Sequence, residues 1–318
     1  MTQAPLSWHR PLGSTGLEIT AVTVGGSPLG SMPAAFGYEV AADDAIELVE
    51  AVLDSPIRSL DTSNGYSDGE SERRIGAAIA RRGGLPADFL LTTKVDPSGG
   101  DYSGERVRAS VRESRQRLGV DALPLVHLHD PEGFPWEVMT APGGAVDTLV
   151  RLKEEGEIGH IGLAGGPLGL MDRYLDLGVF EVLLVHNRWT LVDRSAEGIL
   201  NRAAESGLGV VNAAVYGGGI LAAPRSGMTT YAYREAAPAT LTAIEQMAVL
   251  CDEYDTDLAT AALQFSLRDS RVHSTIVGIS KTSRLDGLVR AAQAELPEEF
   301  WIRLEALVPA DEFWIGSA

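Results

Sequence analysis

The sequence predicts an α/β protein, a (β/α)8 TIM barrel with an N-terminal β-hairpin, on three observations. Short apolar runs alternate with longer amphipathic ones from residue 19 to about residue 290, and eight of the short runs read as strands, the pattern of a parallel sheet closed by crossover helices. The first of these strands runs into GGSPLGS, which lacks the G-x-G-x-x-G that opens a doubly wound dinucleotide fold. No low-complexity linker and no shift in composition divides the 318 residues, so a single domain over 1–318 is expected, a length one barrel accommodates.

Each element has its own signal. WHRPLGSTGLEIT sets a Gly-Ser-Thr-Gly turn between two short extended runs and predicts the hairpin. The strands are expected at ITAVTVG (19–25), IRSLD (57–61), FLLTTKV (89–95), LPLVHLHD (123–130), HIGLAG (160–165), VLLVHN (182–187), GVVNAAV (209–215) and STIVGIS (274–280). DDAIELVEAVLD opens on an aspartate pair suited to cap and charge a helix N-terminus. ERVRASVRESRQRLG carries apolar residues three to four apart and closes on Gly119. AVDTLVRLKEEGEIG, AEGILNRAAESG and ATLTAIEQMAVLCDEY read as helices in the same way.

Chemistry in a parallel barrel sits at the C-terminal strand ends. Polar residues gather there: Asp61 on the second strand, Lys94 on the third, His127 and His129 on the fourth, and Tyr66 in the turn after the second. A buried Lys94 ammonium needs a counter-charge, which Asp61 on the neighbouring strand can supply. A cation beside a phenol favours phenolate, so Lys94 is expected to lower the proton affinity of Tyr66 from its usual pKa of about 10 and make it a general acid and base. His129 can hydrogen-bond the reacting oxygen, and His127 reads as a satisfied histidine of the barrel interior. Such a set moves a proton on a carbonyl or alcohol oxygen. It holds no nucleophile for acyl transfer, so the other half of the reaction falls to a hydride-carrying cofactor.

The segments LDTSNGYSDGESERRIGAAI, LLTTKV, LPLVHLHDPE, LVRLKEEGEIGHIGLAGG and AALQFSLRDSRVHSTIVGISKTSRL, in this order along the chain, resemble the aldo-keto reductase family. The most specific signal is Asp-Thr-x-x-x-Tyr followed by Glu-x-x-(hydrophobic)-Gly. The resemblance implies a (β/α)8 barrel, a nicotinamide dinucleotide bound without a Rossmann domain, and an Asp–Tyr–Lys–His tetrad carried by Asp61, Tyr66, Lys94 and His129. HNRWTLVDRS followed by GVVNAAVYGGGILA is similar to the branch of D-threo-aldose 1-dehydrogenase, L-galactose dehydrogenase and pyridoxal 4-dehydrogenase, which oxidises a sugar or comparable cyclic hemiacetal to a lactone. That implies oxidation of an aldose at C1, with an NADPH-dependent reductase of aldehydes or ketones as the alternative.

Several positions depart from the family pattern. Its Ser-Asn pair on the nicotinamide carboxamide is Ala164-Gly165 here, which shifts the expected contacts to His186 or Asn187, with Asn212 on the seventh strand also expected at the cofactor. The aromatic that stacks on the nicotinamide aligns with Ala213, three residues before Tyr216. In the adenosine loop, after Gly278, Ser280 stands where a cation often binds a 2′-phosphate, with Lys281 and Arg284 nearby, and Gly287-Leu288 replace the usual Glu-Asn. The expected cofactor is therefore NAD or NADP, leaning to NAD.

Composition narrows the partners. A formal net charge of −18 argues against nucleic acid and anionic membranes and for a small sugar or carbonyl substrate. The single cysteine, Cys251, and the lack of a secretory or membrane-spanning run point to a reducing, cytoplasmic compartment. Trp136, in DPEGFPWEVMTAPGG, and Trp314, in the tail PADEFWIGSA, are candidate substrate-wall residues or loop anchors. Two further classes compete: a zinc hydrolase using His127-x-His129, although no further ligands are evident, and a nucleotide-sensing barrel of low turnover.

Overall fold

The computed structural model describes residues 8–33 and 37–316; the last two residues of the predicted wall segment 309–318 lie outside the described residues. Strands β1 (His9–Pro11) and β2 (Glu18–Thr20) form the antiparallel hairpin, with Arg10 opposite Ile19. The barrel strands are β3 (Val22–Gly25), β4 (Ser59–Asp61), β5 (Leu90–Val95), β6 (Leu123–His129), β7 (Ile158–Gly165), β8 (Val182–His186), β9 (Gly209–Ala213) and, after a small ribbon of β10 (Thr230–Tyr231) with β11 (Arg234–Glu235), β12 (Ser274–Gly278). They close in the order β12-β3-β4-β5-β6-β7-β8-β9, all parallel.

The predicted strand 19–25 is two strands. Ile19 ends up in the hairpin, and the barrel strand begins only at Val22, after Ala21, whose N–H donates to Trp8 O at 2.7 Å. The apolar run was continuous because both halves are buried. Leu12 and Ile19 plug the barrel floor, where they meet Leu90, Leu125, Val182, Leu184, Val211 and Ile276.

Helices α1 (Ala42–Asp54), α2 (Glu70–Arg81), α3 (Gly104–Leu118), α4 (Trp136–Met139), α5 (Ala145–Glu154), α6 (Leu168–Leu175) and α7 (Glu197–Glu205) lie on the first six crossovers. In α1 the buried Ala45, Ile46, Leu48, Val49, Val52 and Leu53 make one apolar stripe facing the strands. Asp43 and Asp44 charge its first turn but do not cap it; Ala41 holds the cap position without a side-chain bond. Helix α3 is capped by Ser103 Oγ, which accepts from Arg106 N, and ends at Gly119 in the left-handed conformation. Helix α5 stops at Glu154, earlier than its pattern suggested, because Ile158 already pairs with Leu123 in the sheet.

The crossover into β12 also departs from the one-helix pattern. The predicted helix 239–254 is α8 (Pro238–Glu253), and α9 (Leu258–Leu267) follows it before the strand. With α11 (Glu298–Glu305), these helices bury a second core beside the barrel, built on Met247, Cys251, Leu258, Phe300 and Trp301. Helix α10 (Leu285–Gln293) follows β12. Among the described residues no helix is long and apolar enough to cross a membrane.

Candidate active site

Side chains alternate across a strand, so residues two apart share a face. On β5, Leu90 lies in the barrel interior, which puts Thr92 and Lys94 on the interior side too, while Thr93 faces outward and donates to Glu72 on α2 at 2.8 Å. On β6, Leu125 is interior and Val126 and Leu128 belong to the outer core, which places His127 and His129 inward. Register lines these groups up at the C-terminal rim: Asp61 pairs with Thr92, and Lys94 with His127.

Lys94 is the hub. Its ammonium donates to Asp61 Oδ2 at 2.5 Å, to Thr62 O at 2.7 Å and to Tyr66 Oη at 3.1 Å, which uses all three of its protons. The other Asp61 oxygen accepts from Thr92 Oγ1 at 2.9 Å. Both charged side chains are buried, so either one alone would cost several kcal/mol, on the order of other unpaired buried charges. Burial pulls the Lys94 proton affinity down, but the Asp61 charge and then Tyr66 outweigh it, and the ammonium is held above the ordinary lysine range.

For Tyr66 the structure overturns the expected direction. Lys94 does lower its proton affinity, but desolvation is the larger effect and Asp61 adds to it, so the phenol is pushed up to about 12. Tyr66 as a residue is half-buried, while its hydroxyl sits on the buried ammonium.

His129 meets Tyr66 edge-on, with ring centroids 5.7 Å apart. Its Nδ1 lies 2.7 Å from Asp96 Oδ1 and 3.1 Å from Ser63 Oγ. Burial lowers the imidazole's proton affinity, but the Asp96 carboxylate overrides burial and raises it above the usual value. Sequence reasoning passed over Asp96 although it stands two residues after Lys94 in LLTTKVD; nothing in a linear sequence showed that its carboxylate would turn back to a histidine on the next strand.

His127 is not a satisfied histidine. It is buried beside Lys94 with no partner on Nδ1, and burial first, then the Lys94 charge, hold it well below the ordinary histidine range. Its ring takes the space left by a missing side chain, since a Cβ on Gly162 would fall 2.1 Å from Nδ1. Among the described residues no group of three or more His, Cys, Asp or Glu side chains is placed to hold a metal ion.

The remaining expected site residues divide. At the rim, His186 Nε2 lies 4.0 Å from Asp130 Oδ1, and His129 Nε2 lies 3.7 Å from the other Asp130 oxygen. Burial, reinforced by Arg188, His129 and Lys94 against the pull of Asp130, pushes His186 down to about 4. Asn187 Nδ2 is 3.0 Å from His186 Nδ1, and Asn187 Oδ1 is buried without a partner. Ala164 is buried opposite His129, and Gly165 borders Glu132. Gly278 pairs with Gly25 at the same end of the barrel and leads into Ser280, Lys281 and Arg284, the last two exposed. Asn212 does not join them: it faces outward, with Nδ2 donating to Trp189 O at 2.8 Å and Ser266 Oγ of α9 at 2.9 Å. Ala213 is half-buried, and Tyr216 packs against both cores. Trp136 packs against Tyr174, centroids 4.7 Å apart, under the Arg173 guanidinium, an anchoring contact for its loop. Trp314 donates from Nε1 to Pro309 O, and the next residue, Ile315, donates its N–H to the buried Asp193, so the tail is tied to the segment after β8.

A model of the aldo/keto reductase family matches residues 22–309. The chain is 30% identical to pyridoxal 4-dehydrogenase from Microbacterium luteolum, covering 95% of this chain and 98% of that protein. It is 29% identical to D-threo-aldose 1-dehydrogenase from a Pseudomonas species, covering 92% and 94%. Among solved structures, the aldo-keto reductase AKR11C1 from Bacillus halodurans, in its holo form, superposes with a TM-score of 0.78 at 22% identity, covering 96% of this chain and 98% of that one.

Proposed function

We propose, from the premise that this chain belongs to the aldo/keto reductase family, that it oxidises an aldose at its anomeric carbon to a lactone with Tyr66 as the general base. The protein is an NAD(P)-dependent oxidoreductase acting between CH–OH and C=O. The carrying observation is Lys94, whose one ammonium bonds both the Asp61 carboxylate and the Tyr66 hydroxyl. The aldose reading rests on the likeness to D-threo-aldose 1-dehydrogenase.

The rim fits a nicotinamide dinucleotide. Asn187 Oδ1 is a buried acceptor without a donor, suited to an amide N–H, and the exposed Lys281 and Arg284 beyond β12 suit phosphate. When bound, the cofactor supplies the hydride acceptor. Phenolate at Tyr66, stabilised by Lys94, takes the proton of the anomeric hydroxyl as hydride leaves C1, so the C–O bond becomes a carbonyl. His129 would bond the same oxygen through Nε2. A hemiacetal hydroxyl is more acidic than an ordinary alcohol, which suits a base of this kind. Ser280 at the position that often carries a cation leans the reading to NAD, while the exposed Lys281 and Arg284 of the same loop are the cations NADP would use.

One observation favours reduction of aldehydes or ketones as the second reading. With its phenol pushed up to about 12, Tyr66 is protonated at neutral pH, the form that donates to a carbonyl oxygen. A panel of free sugars and simple aldehydes, assayed in both directions with each cofactor by reduced-nicotinamide absorbance, separates the two. Aldose oxidation should appear and climb with pH. Efficient aldehyde reduction at neutral pH with no sugar oxidised would replace the first reading with the second. Dissociation constants for NAD and NADP test the cofactor lean, which fails if NADP binds more than about tenfold tighter, 1.4 kcal/mol.

A further inference from the structure

Asp96 is not among the expected site residues, yet its carboxylate bonds both His129 and the turn that presents Tyr66. Oδ1 lies 2.7 Å from His129 Nδ1, and Oδ2 accepts the Gly65 N–H at 2.7 Å and a short bond from Ser63 Oγ. Gly65 directly precedes Tyr66, and the Tyr66 N–H in turn donates to Ser63 O at 3.3 Å. A Cβ on Gly65 would fall 2.9 Å from Asp96 Cγ, so carboxylate and turn approach as closely as a glycine permits. The carboxylate therefore joins the end of β5, the turn that presents Tyr66 and the end of β6.

An ionised carboxylate only accepts, so the ring atom facing it must carry a proton. We propose that Asp96 is a positioning residue of the reaction centre: it holds His129 as the Nδ1–H tautomer and fixes the Ser63–Gly65 turn, which leaves Nε2 as the atom turned to the reacting oxygen. The inference rests on the reading of Tyr66 and His129 given above and deepens it. In neutral His129, Nε2 is a lone pair that accepts from a substrate hydroxyl while Tyr66 is a phenol; once Tyr66 is phenolate, that one proton goes to Tyr66 instead. In protonated His129, Nε2–H donates to a carbonyl, the reduction side. Proton occupancy at this one atom selects which partner it welcomes.

The charged and titratable neighbours bear on that occupancy from every side. Asp96 and Asp130 favour the proton, while Lys94 disfavours it. His127, His186 and Glu132 also couple to the ring. Tyr66 meets it edge-on, and Asp61 is linked to Tyr66 through the Lys94 ammonium. The Tyr102 hydroxyl accepts the His129 N–H at 3.0 Å and fixes the backbone. Only Asp96 bonds Nδ1 as a full charge. Burial would protonate a lone carboxylate there, but the His129 charge, together with its bonds to His129, Ser63 and Gly65, keeps Asp96 ionised.

The test is nitrogen NMR of the imidazoles in the full-length protein, with the His129 signals assigned from a His129→Gln spectrum. Wild-type protein above the His129 titration should show Nδ1 protonated and Nε2 bare. A neutral Nε2–H tautomer would overturn the proposal whether or not any variant folds. Asp96→Asn should lower the His129 titration by at least one pH unit and move the acid limb of the kcat profile with it, while the dissociation constant for NAD or NADP changes little. An unmoved titration in a folded Asp96→Asn protein would also overturn it. A correct tautomer without oxidoreductase activity on any substrate would count against the catalytic reading and not against the Asp96 linkage.

Discussion

Replacing Lys94 by Met removes the ammonium that acts on Tyr66 and keeps most of the side-chain volume, while leaving Asp61 without its counter-charge. The Nζ to Oη separation is 3.1 Å. A unit pair about 4 Å apart at an effective dielectric constant near 20 is worth roughly 4 kcal/mol, and 1.4 kcal/mol is one pKa unit, so the lost stabilisation of phenolate is about three units. Tyr66 already sits at about 12 with the ammonium present. In the variant, phenolate is rarer still across the working range. In wild-type protein the rate of alcohol oxidation should climb tenfold per pH unit through the alkaline range without a plateau, because the base form stays a minority below about 12. In Lys94→Met the same limb should lie about 10²- to 10³-fold lower at every pH, while nucleotide affinity changes by less than about threefold. Steady-state oxidation at saturating cofactor from pH 6 to 10, with fluorescence titration of nucleotide on the same samples, reads both. A variant whose oxidation rate stays within tenfold of wild type across that range would refute the argument that Lys94 controls the proton on Tyr66.

Two further substitutions probe the same cluster. Tyr66→Phe keeps the ring but removes the proton carrier, and should lower kcat by about 10²- to 10⁴-fold with nucleotide binding intact; a tenth or more of wild-type turnover would show that another group moves the proton. Asp61→Asn leaves the Lys94 ammonium buried without a counter-charge and should cost about 3–5 kcal/mol, read as a lowered denaturation midpoint at unchanged slope. Because Lys94 is held above its ordinary range, the stabilisation lost in that variant is the part present in wild type at neutral pH, which disappears only as pH rises past the unfolded lysine value toward the raised one. A midpoint equal to wild type at pH 7 would contradict this.

The barrel, and the gathering of Asp61, Tyr66, Lys94 and His129 at its mouth, were legible in the sequence. Eight apolar runs in alternation with amphipathic helices admit few closures, and the period of two along a strand puts Lys94 on the same face as Leu90 and His129 on the same face as Leu125. That arithmetic is local, and it survived. It failed where two neighbouring environments are both apolar. The run 19–25 stayed unbroken through the step from hairpin plug to barrel wall, and α8 and α9 share one crossover because Phe300 and Trp301, far along the chain, supply their second core.

The electrostatics of the mouth depend on packing that no linear pattern carries. The proton affinity of Tyr66 is a contest between one nearby cation and the water that burial removes, and pairing residues on paper counts the cation but not the missing water. Asp96 became the anchor of His129 because two segments distant in sequence from it, the Ser63–Gly65 turn and the end of β6, bring their N–H and O–H donors to one carboxylate. Asn212, one residue from the interior-facing Val211, went instead to the helix side. A strand's period tells which face a side chain takes only after one residue's face is known, whereas desolvation and hydrogen-bond partners depend on everything packed around it.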